Sequence, residues 1–303
     1  MLHDPAERAT VVSMVATTAV GAVEVAAGAL FGSIAFIAAG IDALSDTATS
    51  AAVYGGLVVS KRPADRGHPY GHRQAETIAL LLLAVALLVA GGRIAYLAAG
   101  RLLGGVEVGA TIELFALACV GIPIFAVLAG YKIRVGRRTG NLSVVADGYH
   151  TLSDSASTAA VLLGLAFVRL GYPIADPLVA LGISALVAWW GLSLGRRALD
   201  IIMEASPGQA VISEMKRVCQ SVPGVRGCHK CRARRVGSKI FADLHLLVDP
   251  EVSMGEAHAI ATKVERRLKA RVKGLESVVV HLEPTEVAER FEPGEGHEDG
   301  RGS

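Results

Sequence analysis

The sequence predicts an α-helical membrane protein of six transmembrane helices followed by a small soluble α+β domain of order αββαβ, and three observations carry that reading. Of its 303 residues 52% are hydrophobic and only 19% are charged, too apolar for an ordinary soluble chain. The apolar residues gather in long runs before about Met203, whereas charged and apolar residues alternate from Glu204 onward. Clusters of Lys and Arg fall beside the runs. The expected division is a membrane domain over residues 1–203, a soluble domain over 204–285 and a disordered tail over 286–303, where the sequence is poor in apolar residues.

Runs long enough to cross about 30 Å of hydrocarbon lie near residues 11–31, 34–59, 76–99, 110–131, 142–170 and 174–194. The opening MLHDPAERAT lacks the charged region and cleavage site of a removable signal, so the first span is expected to be retained. Six spans put both termini on one side. Arg8, the group Lys61, Arg62, Arg66 and Arg73, the group Lys132, Arg134, Arg137 and Arg138, and the pair Arg196 and Arg197 all share that side, while the opposite connections hold little beyond Arg101 and Arg169. By the positive-inside rule both termini are cytoplasmic, as in a multi-pass protein of a cell inner membrane. In the soluble part, Ser206 and Pro207 offer a helix start running to about Val222. Strands follow over 225–236 and 239–248 around Gly237, and Asp249-Pro250 ends them. Ser253 and Glu256 form a capping box for a helix with Ala257, Ile260, Val264 and Leu268 on one face, and 277–283 is the last strand.

Several classes of function are excluded at this level. A net charge of +2, with basic residues beside apolar spans, gives no surface for nucleic acid. Four scattered cysteines make no disulfide framework and fit a reducing cytosol. Nothing resembles an activated nucleophile, an oxyanion site or an ATP-binding loop, so neither catalysis nor a catalytic cofactor is expected.

The chain repeats itself in one place. DALSDTATSAAVYGGL from Asp42 and HTLSDSASTAAVLLGL from His150 share their LSD core, Ala-Ala-Val and closing Gly-Leu. The copies lie on the second and fifth spans, which cross in opposite directions, and at about 1.5 Å per residue both reach the bilayer middle, where transporters place substrate between such elements. Asp42 with Asp46, and His150 with Asp154, are each four residues apart and project from one helix face. Three carboxylates and an imidazole can make a tetrahedral site for a borderline-soft divalent cation, zinc first and also cadmium, ferrous iron or manganese. Calcium and magnesium would take more oxygens. Each ionised Asp at the bilayer centre costs roughly 2.5 to 3.5 kcal/mol, and the motifs themselves hold no Lys or Arg to offset it. Because His150 cannot hold metal and proton on one nitrogen, the two compete. Moving a doubly charged ion outward against an inside-negative potential costs roughly 4.6 kcal/mol per 100 mV, which makes proton antiport the simplest energy source. A site this tight argues against an open channel.

The remaining histidines also sort into groups. Asp65, His68 and His72 share the segment PADRGHPYGH, where they make a second metal site or cap the third span. Period-two geometry puts His229 with Cys231, Asp243 with His245, and His281 with Glu283 on common strand faces, while His258 stands on the second soluble helix. Of nine histidines only His3 and His297 fall outside these groups. Cys228 and Cys231 form a C-x-x-C with no second pair, so a closed four-Cys zinc site is not supported. Cys231 is expected beside His229, Cys228 in the core, and Cys119 and Cys219 as packing residues. Glu24, inside the first span, reads as a proton relay, a group supporting the metal site or a helix-packing residue.

DALSD on the second span, HPYGHRQAE in the following connection and HTLSD on the fifth resemble the cation diffusion facilitator family, from about residue 8 to residue 285. The resemblance is to its bacterial zinc and ferrous-iron efflux branch and implies a homodimer that works by alternating access. It also implies that Asp65, His68 and His72 are loop-site ligands. The soluble domain would be metallochaperone-like, with a two-ion site at the dimer interface using His229, His245, His258, His281 and Glu283. Gln74 stands where the family usually has Lys, and Glu283 where Asp is more usual. VPGVRG and VDPE resemble magnetosome members, which brings in the alternative of a metal-sensing or scaffolding paralogue that needs a partner subunit. The intact set Asp42, Asp46, His150 and Asp154 favours a transporter, whose partners are metal ions, protons and membrane lipid, with no nucleic acid.

Overall fold

Backbone in hydrocarbon must satisfy its own hydrogen bonds, and the long apolar runs accordingly form six long helices: α1 Pro5–Phe31, α2 Ile34–Ser60, α3 Ala75–Gly104, α4 Ile112–Thr139, α5 Leu142–Arg169 and α6 Ala175–Ile202. The computed structural model describes residues 4–31, 34–104, 112–169, 172 and 174–286; the side chains of some helical residues, Asp42 among them, are outside this description, as are residues 287–303 of the expected tail. Among the described residues, Pro5–Ala26, Ala75–Gly100 and Pro177–Ile202 are long and apolar enough to cross a membrane. The chain divides into two compact units between Ile202 and Met203.

The first unit is held by close helix crossings. Its core joins Val53 and Leu57 of α2, Leu80, Leu83 and Leu87 of α3, Val144 of α5 and Val187 and Leu194 of α6. Small residues set the approach, as is usual where lipid removes the hydrophobic drive between helices. Ser184 Oγ of α6 donates to the Gly91 carbonyl of α3 at 2.8 Å. At Gly148 of α5 a Cβ would lie 2.6 Å from Ile133 Cγ1 and 3.0 Å from Ile133 N of α4, so only glycine fits. The outward surface carries Val15, Val23, Leu82, Val89, Trp189 and Leu192, suited to lipid. Lys61, just past α2, pairs with Asp4 at 2.8 Å and Glu7 at 2.7 Å, tying the start of α1 to the end of α2.

Helix ends depart from the sequence expectation in one consequential place. α4 does not stop near residue 131 but runs on to Thr139, so Lys132, Arg134, Arg137 and Arg138 lie on a helix rather than in a connection. Charge alone does not end a helix. The chain leaves it at Gly140, whose φ of +73° is the left-handed conformation favoured by glycine. Asn141 then caps α5, its Oδ1 accepting the Val144 N–H at 3.2 Å.

The second unit has the expected order: α7 Gln209–Gln220, β1 Gly227–Val236, β2 Lys239–Val248, α8 Met254–Arg271 and β3 Leu275–Pro284. The sheet runs β1-β2-β3, with β1 antiparallel to β2 and β3 parallel to β2 after the α8 crossover. Alternation on β2 buries Ile240, Ala242, Leu244, Leu246 and Val248. Of these, Ile240, Ala242, Leu244 and Leu246 join one core with Met215, Val218 and Cys219 of α7 and Val264 and Leu268 of α8, so both described helices of this unit pack on the same face of the sheet. The Ser253–Glu256 capping box forms, and the bonds from Ser253 hold the Glu256 carboxyl below its usual range. The start at Ser206 and Pro207 does not. α7 begins at Gln209 because Gly208, at φ +115°, takes the turn and the N-cap, while Ser206 Oγ accepts the Gly208 N–H at 3.3 Å.

Gly148→Val is expected to destabilise the purified full chain by about 1–3 kcal/mol through overpacking against α4. Gly92→Ala, where an added Cβ meets nothing within 4 Å, is expected to leave stability unchanged or raised. Thermal melts of the two variants beside the parent check this contrast.

Candidate functional site

The two repeated motifs meet inside the first unit. Asp46 reaches from α2 and His150 and Asp154 from α5, and one ligand atom of each lies within 4.8 Å of the others. His150 Nε2 is 3.5 Å from Asp46 Oδ1. The ring is buried, and neither of its nitrogens has a hydrogen-bond partner. A buried imidazole whose only close polar contact is this long one to Asp46, set between two carboxylates, is costly as it stands, and its donor chemistry suits a divalent cation. Ser153 Oγ donates to the His150 carbonyl at 2.7 Å and lies 3.4 Å from Asp154 Oδ1. Asp42 sits on α2 one turn before Asp46, and its side chain lies outside the described residues. Glu24 is buried on α1.

Directly beside this cluster lies one that sequence reasoning missed. Lys132 of α4 is fully buried, with Nζ 2.9 Å from Asp147 Oδ2 of α5. The same ammonium donates to Thr151 Oγ1 at 2.9 Å and to Ser50 Oγ of α2 at 3.2 Å, and Ser50 Oγ donates to Asp147 Oδ1 at 2.7 Å. Ser50 is four residues beyond Asp46 and Thr151 adjoins His150, so the network fastens α2, α4 and α5 at the level of the motifs. Lys132 was expected at the cytoplasmic surface with the arginines around it; the continuation of α4 places it on the inward face instead. The sequence did hold a signal, since Asp147 is a further acid on the motif face of α5, three residues before His150, with no cation in the motif to offset it.

In the α2–α3 connection, Asp65, His68 and His72 come together. Asp65 Oδ1 lies 3.4 Å from His68 Nδ1 and Oδ2 lies 3.3 Å from His72 Nε2, with the two rings 4.3 Å apart. The backbone N–H of His68, then that of Gly67, holds the Asp65 carboxyl below its usual range. This preorganised carboxylate and two imidazoles match a hard-to-borderline cation.

In the second unit three histidines form a row across the sheet, since His229 pairs with His245 and His245 with His281 in register. Glu283, two residues beyond His281, lies beneath the row: Oε2 is 2.9 Å from His229 Nε2, and Oε1 is 2.7 Å from His245 Nδ1 and 3.4 Å from His281 Nε2. Burial pushes the Glu283 carboxyl up, but the bonds to His245 and His229 outweigh it and hold it below its ordinary value. His258 is not brought to this group. It is exposed on α8, which packs against the opposite face of the sheet.

Cys231 departs from its expected place beside His229. A bulge in β1 between His229 and Arg232, with Lys230 at φ +46°, breaks the period of two. Cys231 therefore turns to the core face, its Sγ 3.1 Å from Cys228 Sγ. Interaction with Cys219 foremost pushes the Cys228 thiol up to about 12, and the bond to Cys228 raises Cys231 as well, so both are neutral thiols at ordinary pH. Cys219 is buried as expected, but Cys119 is exposed on α4 and is not a packing residue within the chain.

Sequence profiles of known families agree with this architecture: that of the cation efflux transmembrane domain matches residues 10–203 and that of the cation efflux protein cytoplasmic domain matches residues 207–285. The chain belongs to the cation diffusion facilitator family. The cation-efflux pump FieF of Yersinia enterocolitica is 31% identical over 263 residues, spanning 84% of this chain and 85% of that protein. The magnetosome protein MamB of Paramagnetospirillum magneticum is 26% identical over 261 residues, spanning 86% and 88%. Among solved structures, the nickel form of a MamM C-terminal domain variant is 35% identical and covers 25% of this chain and 98% of that one, at a TM-score of 0.25. Cation diffusion facilitators are transporters rather than enzymes, and metal ions are their substrates.

Lys132→Met is expected to destabilise this cation diffusion facilitator chain by about 3–5 kcal/mol, because it strands Asp147 as a buried unpaired charge. The double change Lys132→Met/Asp147→Asn removes both charges and is expected to recover most of the loss. Denaturation of the three proteins in one detergent gives the comparison.

Proposed function

We propose that the protein exports divalent transition-metal cations, zinc foremost, from the cytoplasm in exchange for protons. The six helices cross an inner membrane with both termini cytoplasmic, and two copies of the chain work by alternating access. The observation that carries this reading is the convergence of Asp46, His150 and Asp154 from α2 and α5, with Asp42 one turn away as the fourth ligand. The position of His150 between Asp46 and Asp154 supports proton coupling: a given imidazole nitrogen takes either a proton or a metal ion, so loading one expels the other.

The other two clusters serve as resident metal sites in this reading. Asp65, His68 and His72 bind at the cytoplasmic surface, and His229, His245, His281 and Glu283 form a centre on the open sheet face of the second unit. His258 joins that centre only from a second copy of the chain, because in its own chain the sheet stands between them. The open face fits such pairing.

Zinc flux into proteoliposomes tests the transport site directly. Asp46→Ala is expected to abolish flux, whereas Asp65→Ala is expected to retain it. An imposed pH gradient is expected to change the zinc rate, and a rate indifferent to the gradient would remove proton exchange from the proposal. The cation panel of zinc, cadmium, ferrous iron, cobalt and manganese ranks the substrates.

A further inference from the structure

The α4–α5 turn and the C-terminal part of α6 enclose a cavity of about 380 Å3 that the transport site does not use. Arg137 and Arg197 line it, together with Tyr149, Trp189 and Trp190. Three of them, Arg137, Tyr149 and Trp190, are held in a definite arrangement. Arg137 Nη2 donates to Tyr149 OH at 3.0 Å, and the Tyr149 ring stacks on Trp190 with centroids 4.9 Å apart and planes 28° from parallel. Both arginines are exposed, and among the described residues neither has a carboxylate partner. Trp189 is 64% exposed.

We propose that this cavity seats the headgroup of an anionic phospholipid. Two guanidiniums without an acidic partner are a fork-shaped receptor for phosphate oxygens, and fixing one of them through Tyr149 lowers the cost of binding. An exposed indole beside them belongs at the boundary between headgroups and hydrocarbon, where Trp and Tyr gather. Leu142, Val145 and Leu194 give the same cavity an apolar wall. A free phosphate would gain nothing from that wall, whereas the glycerol and first methylenes of a lipid would. Basic pockets between membrane helices bind such headgroups by this combination. The inference rests on the membrane placement proposed above, which puts this turn at the cytoplasmic leaflet.

Trp189 and Trp190 are the chain's only two tryptophans and both line this cavity, so selectively excited tryptophan fluorescence arises only from residues at its walls, and the zwitterionic lipid controls for quenching of the outward-facing Trp189 by bulk chains. The purified full chain in neutral detergent is titrated with phosphatidylglycerol or phosphatidylcholine carrying identical brominated acyl chains. Quenching is expected at about tenfold lower mole fraction of the anionic lipid. Arg137→Gln/Arg197→Gln is expected to erase that preference without changing the unquenched spectrum, and Arg137→Lys/Arg197→Lys to retain part of it. Inorganic phosphate is expected not to displace the lipid. Equal quenching by both lipids, a preference that survives the Gln variant, or displacement by millimolar phosphate each overturns the proposal. Absence of quenching by either lipid also overturns it, by removing this turn from the membrane boundary. None of these readouts involves metal movement, so the transport reading stands or falls separately in the flux assay.

Discussion

A charge inside an apolar helix bundle must have a partner, and the first unit is organised around meeting that demand twice over within a few residues of α5. One face of α5 carries Asp147, His150, Thr151 and Asp154. Asp147 is satisfied permanently by Lys132, with Ser50 and Thr151 completing the bonds. Asp154 and His150 face Asp46, and their donors gather within reach of one ion. The contrast separates structure from function on a single helix. A carboxylate whose cation is built into the chain serves to hold helices together, whereas under the proposed function Asp46 and Asp154 take their cation from outside the chain. Small residues make this density of polar groups achievable, because Gly148 brings α4 close enough for the Lys132 side chain to lie across α5.

Much of this was legible in the sequence, and the reasons differ from residue to residue. Asp46, His150 and Asp154 declared themselves through spacing and repetition, since four residues on a helix is one face wherever the helix goes. The histidine row was legible through the period of two, and the order of the soluble elements through its turns and its capping box. Lys132 was not legible because a basic residue at the end of an apolar run reads as a surface anchor, and only the bearing of the next turn of α4 reveals that it points inward. His258 was grouped with the row by the family resemblance, which implies a site shared between two copies of the chain but does not show which face of the sheet its helix covers within one copy.

The soluble unit shows how a shared register gathers ligands that lie far apart in the chain. β1 and β2 run antiparallel and β2 and β3 parallel, yet His229, His245 and His281 fall on one line across the strands. One carboxylate, Glu283, reaches all three imidazoles. The sheet does this without loops, so the geometry of the proposed centre is set by backbone pairing and is as rigid as the core on the reverse face.

The bulge at Lys230 adds one residue to β1, and its effect is chemical segregation. Without it, alternation would have delivered a thiol to the imidazole row; with it, sulfur is confined to the interior side of the sheet. The proposed centre therefore offers an ion only nitrogen and oxygen, donors that release a borderline metal far more readily than thiolate does. If the proposed centre holds an ion, a single inserted backbone unit shortens its residence time, favouring a centre that follows the cellular metal supply over one that sequesters it.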